Sequence, residues 1–123
     1  MKPGDIYNVD FPFKPPFPPD GNNSKKRPAL IIAISPDGTA LALMVKITGS
    51  APTLKYPNRI EIVHWSQANL DKESYAEIDT EEQFDLKEAN TYRGTLNPLD
   101  FNNILSEYIK LKSRTRHTRR PAR

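Results

Sequence analysis

The 123-residue chain contains no cysteine. That excludes disulfides, thiolate nucleophiles and zinc sites that depend on sulfur. Histidine is nearly as scarce, with His64 and His117 the two present, and His117 lies in a terminal stretch without hydrophobic periodicity. No catalytic metal and no cofactor are therefore expected. The longest apolar runs, 29–34 and 40–45, are six residues each, far short of the ~20 needed to span a membrane. Met1-Lys2-Pro3-Gly4-Asp5 lacks the apolar stretch of a signal peptide. The expectation is a cytoplasmic protein with no membrane segment.

Basic charge is also missing from most of the chain, despite a formal net charge of +3. Seven of the eighteen Lys/Arg residues fall within 110–123, where there is no acid. Residues 1–109 hold the remaining eleven against all fifteen acids, a net of −4. The overall basicity thus belongs to the tail, and does not by itself mark the domain as a nucleic-acid binder. The length suits one domain with one core.

Ile6-Tyr7-Asn8-Val9-Asp10-Phe11 alternates apolar and polar residues, the pattern of a half-buried strand, and Pro12 ends it. Residues 12–26 read as a long loop, proline-rich and then polar; loops of that length are usually functional or disordered. The apolar run 29–34 suits a strand buried on both faces. Ser35-Pro36-Asp37-Gly38 is a turn by residue type, and 40–47 returns as the second arm of a hairpin. Further strands are expected at 59–63 and 75–79. Asp85-Leu86-Lys87-Glu88 has capping-box spacing for one helical turn. Asn97 suits a helix N-cap and Pro98 its first position. Phe101, Ile104, Leu105, Tyr108 and Ile109 then form one apolar helical face. The pattern stops after Leu111, so the domain is assigned to 1–112, with 113–123 a basic, disordered tail. Five or six short strands and one helix make a mostly β fold with a C-terminal helix.

Three stretches in this order resemble the MazF/PemK toxin family: Gly4-Asp5-Ile6-Tyr7-Asn8-Val9-Asp10-Phe11-Pro12-Phe13, Lys26-Arg27-Pro28-Ala29-Leu30-Ile31-Ile32, and Lys46-Ile47-Thr48-Gly49-Ser50. Ala68-Asn69-Leu70 with Ser74, Asp79, and Arg93-Gly94-Thr95-Leu96 extend the likeness over about residues 3–112. The resemblance implies an SH3-like barrel of the MazF/CcdB type, usually a homodimer, with a groove for single-stranded RNA. It implies metal-independent endoribonuclease activity, a 2′,3′-cyclic phosphate and a 5′-hydroxyl as products, and neutralisation by a cognate antitoxin peptide.

Cleavage by a neighbouring 2′-hydroxyl requires an in-line phosphate and neutralisation of the charge that builds on its oxygens. Arg27 has the fork geometry and permanent charge for that task. On residue type alone, Lys25-Lys26-Arg27 reads more readily as a solvated loop cluster; the resemblance reverses that preference. Thr48 offers a hydroxyl that orients the phosphate or the 2′-hydroxyl, or else bonds a local turn. The family usually has Ser directly after this Thr, whereas here Gly49 intervenes before Ser50. The resemblance makes Asp79 a general base or a support for Arg27. Glu77 stands where some relatives carry arginine, and Glu77, Asp79, Glu81 and Glu82 read as a solvated acidic edge. Phe13, Lys14, Phe17, Lys25 and Lys26 would offer stacking and phosphate contacts from the loop, with Gly49 and Ser50 completing the RNA-binding set. Two alternatives remain: a non-catalytic SH3-like module for nucleic acid or protein, and a CcdB-like gyrase inhibitor. The second needs a Trp-Gly-Ile helix end, and here the sole tryptophan is Trp65.

Overall fold

A computed structural model describes residues 1–12, 24–36, 41–85, 87 and 91–119, with backbone alone at 24, 25 and 115–119. The elements are β1 (Asp5–Pro12), β2 (Ser24–Ile34), β3 (Leu41–Thr48), β4 (Arg59–Ile62), β5 (Ser74–Asp85), β6 (Thr91–Thr95) and α1 (Pro98–Arg119). The six strands form one antiparallel sheet in the order β4-β5-β3-β2-β1-β6. The sheet is not closed: β4 and β6 are its edges, so the expected barrel is an open one. Register shifts between Ile6 and Tyr7, Ile31 and Ala33, and Val45 and Lys46 are bulges, which bend a sheet and increase its twist.

Alternation along the strands sends side chains to two faces. On the first, Ile6, Leu30, Val45, Ile62, Ile78 and Ile104 belong to one buried cluster, against which α1 packs. On the second, Val9, Phe11, Ala29, Ile31, Met44 and Phe84 form another. The central strand β2 feeds both clusters, which is why residues 29–32 form an unbroken apolar run and are all buried. Leu41 donates its N–H to Ser35 Oγ and accepts from Ser35 N–H, closing the described part of the β2–β3 turn.

Several expectations are corrected. The loop read as 12–26 ends earlier: β2 begins at Ser24 and pairs with β1 through Ser24, Lys25 and Lys26. The fifth strand runs twelve residues rather than five, because its bulge lets it pair with β3 along most of its length and with β4 at its start. Asp85 closes β5, and its carboxylate accepts the Lys87 N–H at 2.9 Å, a local side-chain turn in place of a helical one; Leu86 and Glu88 lie outside the described residues. Helix α1 starts as expected, with Asn97 Oδ1 accepting the Leu99 N–H at 2.8 Å. It continues to Arg119, past Lys112, and Lys and Arg are good helix formers. No helix among the described residues is long and apolar enough to cross a membrane.

Candidate functional site

Pairing register alone assembles a charged row on the face opposite α1. Ala29 pairs with Lys46, Lys46 with Glu77, and Glu77 with Arg59. Directly paired residues share a face, so three charged side chains lie side by side across β3, β5 and β4. Glu77 is the hub and is buried, at 4% exposure. Its carboxylate accepts Arg59 Nε–H at 2.8 Å and the Thr80 hydroxyl at 2.6 Å, with Lys46 Nζ 3.7 Å away. Burial alone would raise this carboxyl; the bonds from Thr80 and Arg59 and the charge of Lys46 outweigh it and hold it below the ordinary value. Arg59 also stands 4.4 Å from the Tyr56 ring centroid, a cation–π distance. Glu77 is therefore an internal anchor, not part of a solvated acidic edge. Glu81 departs from that expectation too: it faces α1, accepting the Tyr108 hydroxyl and pairing with Lys112.

Arg27 enters through the same logic. Pairing between β2 and β3 stops at Ala29, and the next residue, Pro28, has no N–H to continue the ladder. Carried two residues further, the register would set Arg27 opposite Thr48. The strands part there instead, and both side chains line a pocket of about 230 Å³ with Gly49, Lys72, Asp71 and Arg93. On its other side Arg27 lines a second pocket of about 160 Å³ with Phe11, Lys46, Tyr56, Arg59 and Glu77. Arg27 is thus shared by both, pairing through its backbone with Val9 on β1. All three arginines of residues 1–109 line these pockets. Together the linings hold five cations against two carboxylates, on a domain whose net charge is negative. Low-dielectric walls lined by one sign of charge focus its field.

The expected site residues separate into groups. Arg27, Thr48 and Gly49 come together in the larger pocket. Ser50 lines neither pocket but donates its N–H to Thr48 Oγ1 at 3.3 Å, leaving the Thr48 hydroxyl hydrogen free of that bond. Lys26 is exposed and alternates to the face away from Arg27. Asp79 is exposed and lines neither pocket; its carboxylate accepts Asn58 Nδ2–H at 3.4 Å. The Lys25 side chain and residues Phe13, Lys14 and Phe17 lie outside what the structure describes. Lys46, Tyr56, Arg59, Lys72 and Arg93 were not among the expected set. The scarcity of arginine in residues 1–109 is the signal that would have drawn in Arg59 and Arg93. His64 is structural, as its position after a strand suggests: the Asp100 carboxylate on α1 accepts the N–H groups of Val63 and His64 and stands 3.1 Å from His64 Nδ1.

Among solved structures, the chain is similar to an endoribonuclease from a mycobacterial species, at TM-score 0.67 and 19% identity over 92% of this chain and 91% of that one. A mycobacterial endoribonuclease in complex with its cognate antitoxin matches at TM-score 0.64 and 20% identity, over 90% and 96% of the two chains. A MazE–MazF structure from Deinococcus radiodurans matches at TM-score 0.63 and 15% identity, over 91% and 94%. At such identities these likenesses speak for the fold. No curated protein matches the sequence. The model of the PemK-like, MazF-like toxins of type II toxin–antitoxin systems matches residues 2–111, and this chain belongs to that family.

Proposed function

We propose that this protein is a metal-independent endoribonuclease that cleaves single-stranded RNA in the cytoplasm, the toxin of a toxin–antitoxin pair. The observation that carries the reading is the place of Arg27, a cation at the junction of two pockets with the Thr48 hydroxyl beside it in the larger one. A chain laid along this face would bring a phosphate between guanidinium and hydroxyl, with adjoining nucleotides over each pocket. The 2′-oxygen then attacks the adjacent phosphorus and loses its proton to water. The P–O2′ bond forms, the P–O5′ bond breaks, and the departing 5′-oxygen takes a proton from water. Products are a 2′,3′-cyclic phosphate and a 5′-hydroxyl. Arg27 neutralises charge on the non-bridging oxygens as it grows, and Thr48 orients the phosphate. Glu77, held ionised and buried among its partners, positions Arg59 and Lys46 rather than moving a proton. Asp79, outside both pockets, is assigned no step. The same cationic groove would receive an acidic segment of a cognate antitoxin, a partner supported by the antitoxin complexes among similar folds, and the active form is a homodimer, as the family resemblance implies.

The test is cleavage of a long single-stranded RNA in EDTA by wild type and Arg27→Ala. Wild type should give discrete fragments with cyclic-phosphate ends. The variant should be slower by ~10²–10³, the loss typical of one preorganised charge contact. A folded wild type that leaves the RNA intact would overturn the reading.

A further inference from the structure

Gly49 is not demanded by its own backbone, which lies outside the positive-φ region that favours glycine. What a side chain there would meet is Lys72: an added Cβ would stand 2.5 Å from Lys72 Cε and 2.9 Å from Lys72 Nζ. The missing side chain is therefore the space through which Lys72 crosses the end of β3 into the larger pocket, beside Arg27 and Thr48. Its backbone is tied down at the same place, since the Ser74 hydroxyl donates to the Lys72 carbonyl at 2.8 Å. The neighbouring Asp71 carboxylate is paired with Arg93 at 2.9 Å. Neither Lys72 nor Arg27 has a carboxylate partner among the described residues.

Two uncompensated cations of different geometry, set around one hydroxyl in one concave pocket, suit an anion with several oxygens. We propose that Lys72 is a phosphate-contacting residue of this pocket, seated there by Gly49. The ammonium meets RNA backbone next to the phosphate gripped by Arg27. Arg27 supplies the directional fork, Lys72 the point charge. This goes beyond the assignment of Arg27 and Thr48 and rests on the reading of the groove as an RNA site.

The test measures binding, so that it does not depend on cleavage. A fluorescent, mixed-sequence single-stranded RNA carrying 2′-O-methyl groups throughout has no nucleophile, and its affinity is read by anisotropy across a salt series. Lys72→Met should bind about tenfold more weakly at low salt, the scale of one charge-assisted contact. Its slope of log affinity against log salt should be shallower by about 0.7, the value for one phosphate contact on a single strand. Lys72→Arg should retain both. Gly49→Ala changes no charge, yet should weaken binding in the same direction and add little to Lys72→Met. Unchanged affinity and slope in Lys72→Met, in a variant whose thermal unfolding matches wild type, would overturn the proposal. Full additivity of the two substitutions would overturn the seating role of Gly49. Wild type that binds this RNA but does not cleave unmodified RNA would sink the ribonuclease reading alone, and wild type that binds no RNA would sink both.

Discussion

At the scale of single residues, the most consequential side chain outside the pocket chemistry is Glu77. A buried carboxylate between two cations is costly to leave half-made: removing one partner of such a group costs about 3–5 kcal/mol. Glu77→Gln should therefore lower the stability at neutral pH by about 3 kcal/mol, read from urea unfolding. The sign of its pH dependence follows from the lowered carboxyl of Glu77. Its stabilisation is full above the ordinary carboxylate range of the unfolded chain and is lost as pH falls through the folded value. The gap between wild type and variant should narrow as the pH drops below about 4, and a gap constant with pH would contradict the ion-pair account. Sequence could not reveal this residue, because Glu77, Asp79, Glu81 and Glu82 have the same residue chemistry. What separates them is the bulge in β5, which turns Glu77 toward Lys46 and Arg59, Glu81 toward α1, and leaves Asp79 exposed. Arg27 and Thr48 were singled out by the family resemblance rather than by local chemistry, since residue type alone made Arg27 part of a solvated cluster and left Thr48 as a local turn hydroxyl.

At the scale of elements, strands with strong hydrophobic patterns were visible and weakly patterned ones were not. β6, with Tyr92-Arg93-Gly94 at its centre, has little apolar periodicity; its place comes from contacts with another segment. Asn69 takes a left-handed conformation, donates Nδ2–H to the Arg93 carbonyl at 2.8 Å, and accepts Arg93 Nε–H through its own carbonyl at 3.0 Å. Gly94 lets that turn approach, since a Cβ there would stand 2.2 Å from the Ala68 carbonyl oxygen. Backbone cannot move aside as a lysine tail can. Gly94→Ala should thus cost about 1–3 kcal/mol, the scale of overpacking, seen as a lower urea midpoint with an unchanged slope. Gly49→Ala, which meets only a flexible side chain, should stay within about 0.5 kcal/mol of wild type. Equal effects of the two would refute the distinction. The same contact explains why Ala68-Asn69-Leu70 and Arg93-Gly94-Thr95-Leu96 belong together, although nothing local to either segment says so.

At the scale of the whole molecule, positive charge is present in two separate places, and they should serve different purposes. The cations of the smaller pocket stand on the sheet face opposite α1 and those of the larger pocket gather around the end of β3, whereas the helix carrying the basic end packs on the first face through Ile104 and Tyr108. Contacts from the two regions would fall on different phosphates. Residues 113–123 contain five arginines and no acid, while residues 1–112 hold the matched family segment and the apolar helix face. Truncation after Lys112 should leave the domain folded. It should lower RNA affinity at low salt and flatten the salt dependence by up to about 0.7 for each arginine that had met a phosphate on the single strand. The rate of cleavage at saturating RNA should change little, because Ser113 and Arg114, the removed residues whose side chains the structure describes, line neither pocket. Arg27→Ala should show the reverse, with a salt slope shifted by about one contact and a rate lowered by orders of magnitude. If truncation reduced the saturated rate as strongly as loss of Arg27, the tail would be part of the reacting site, and the division of labour between the two charged regions would be wrong.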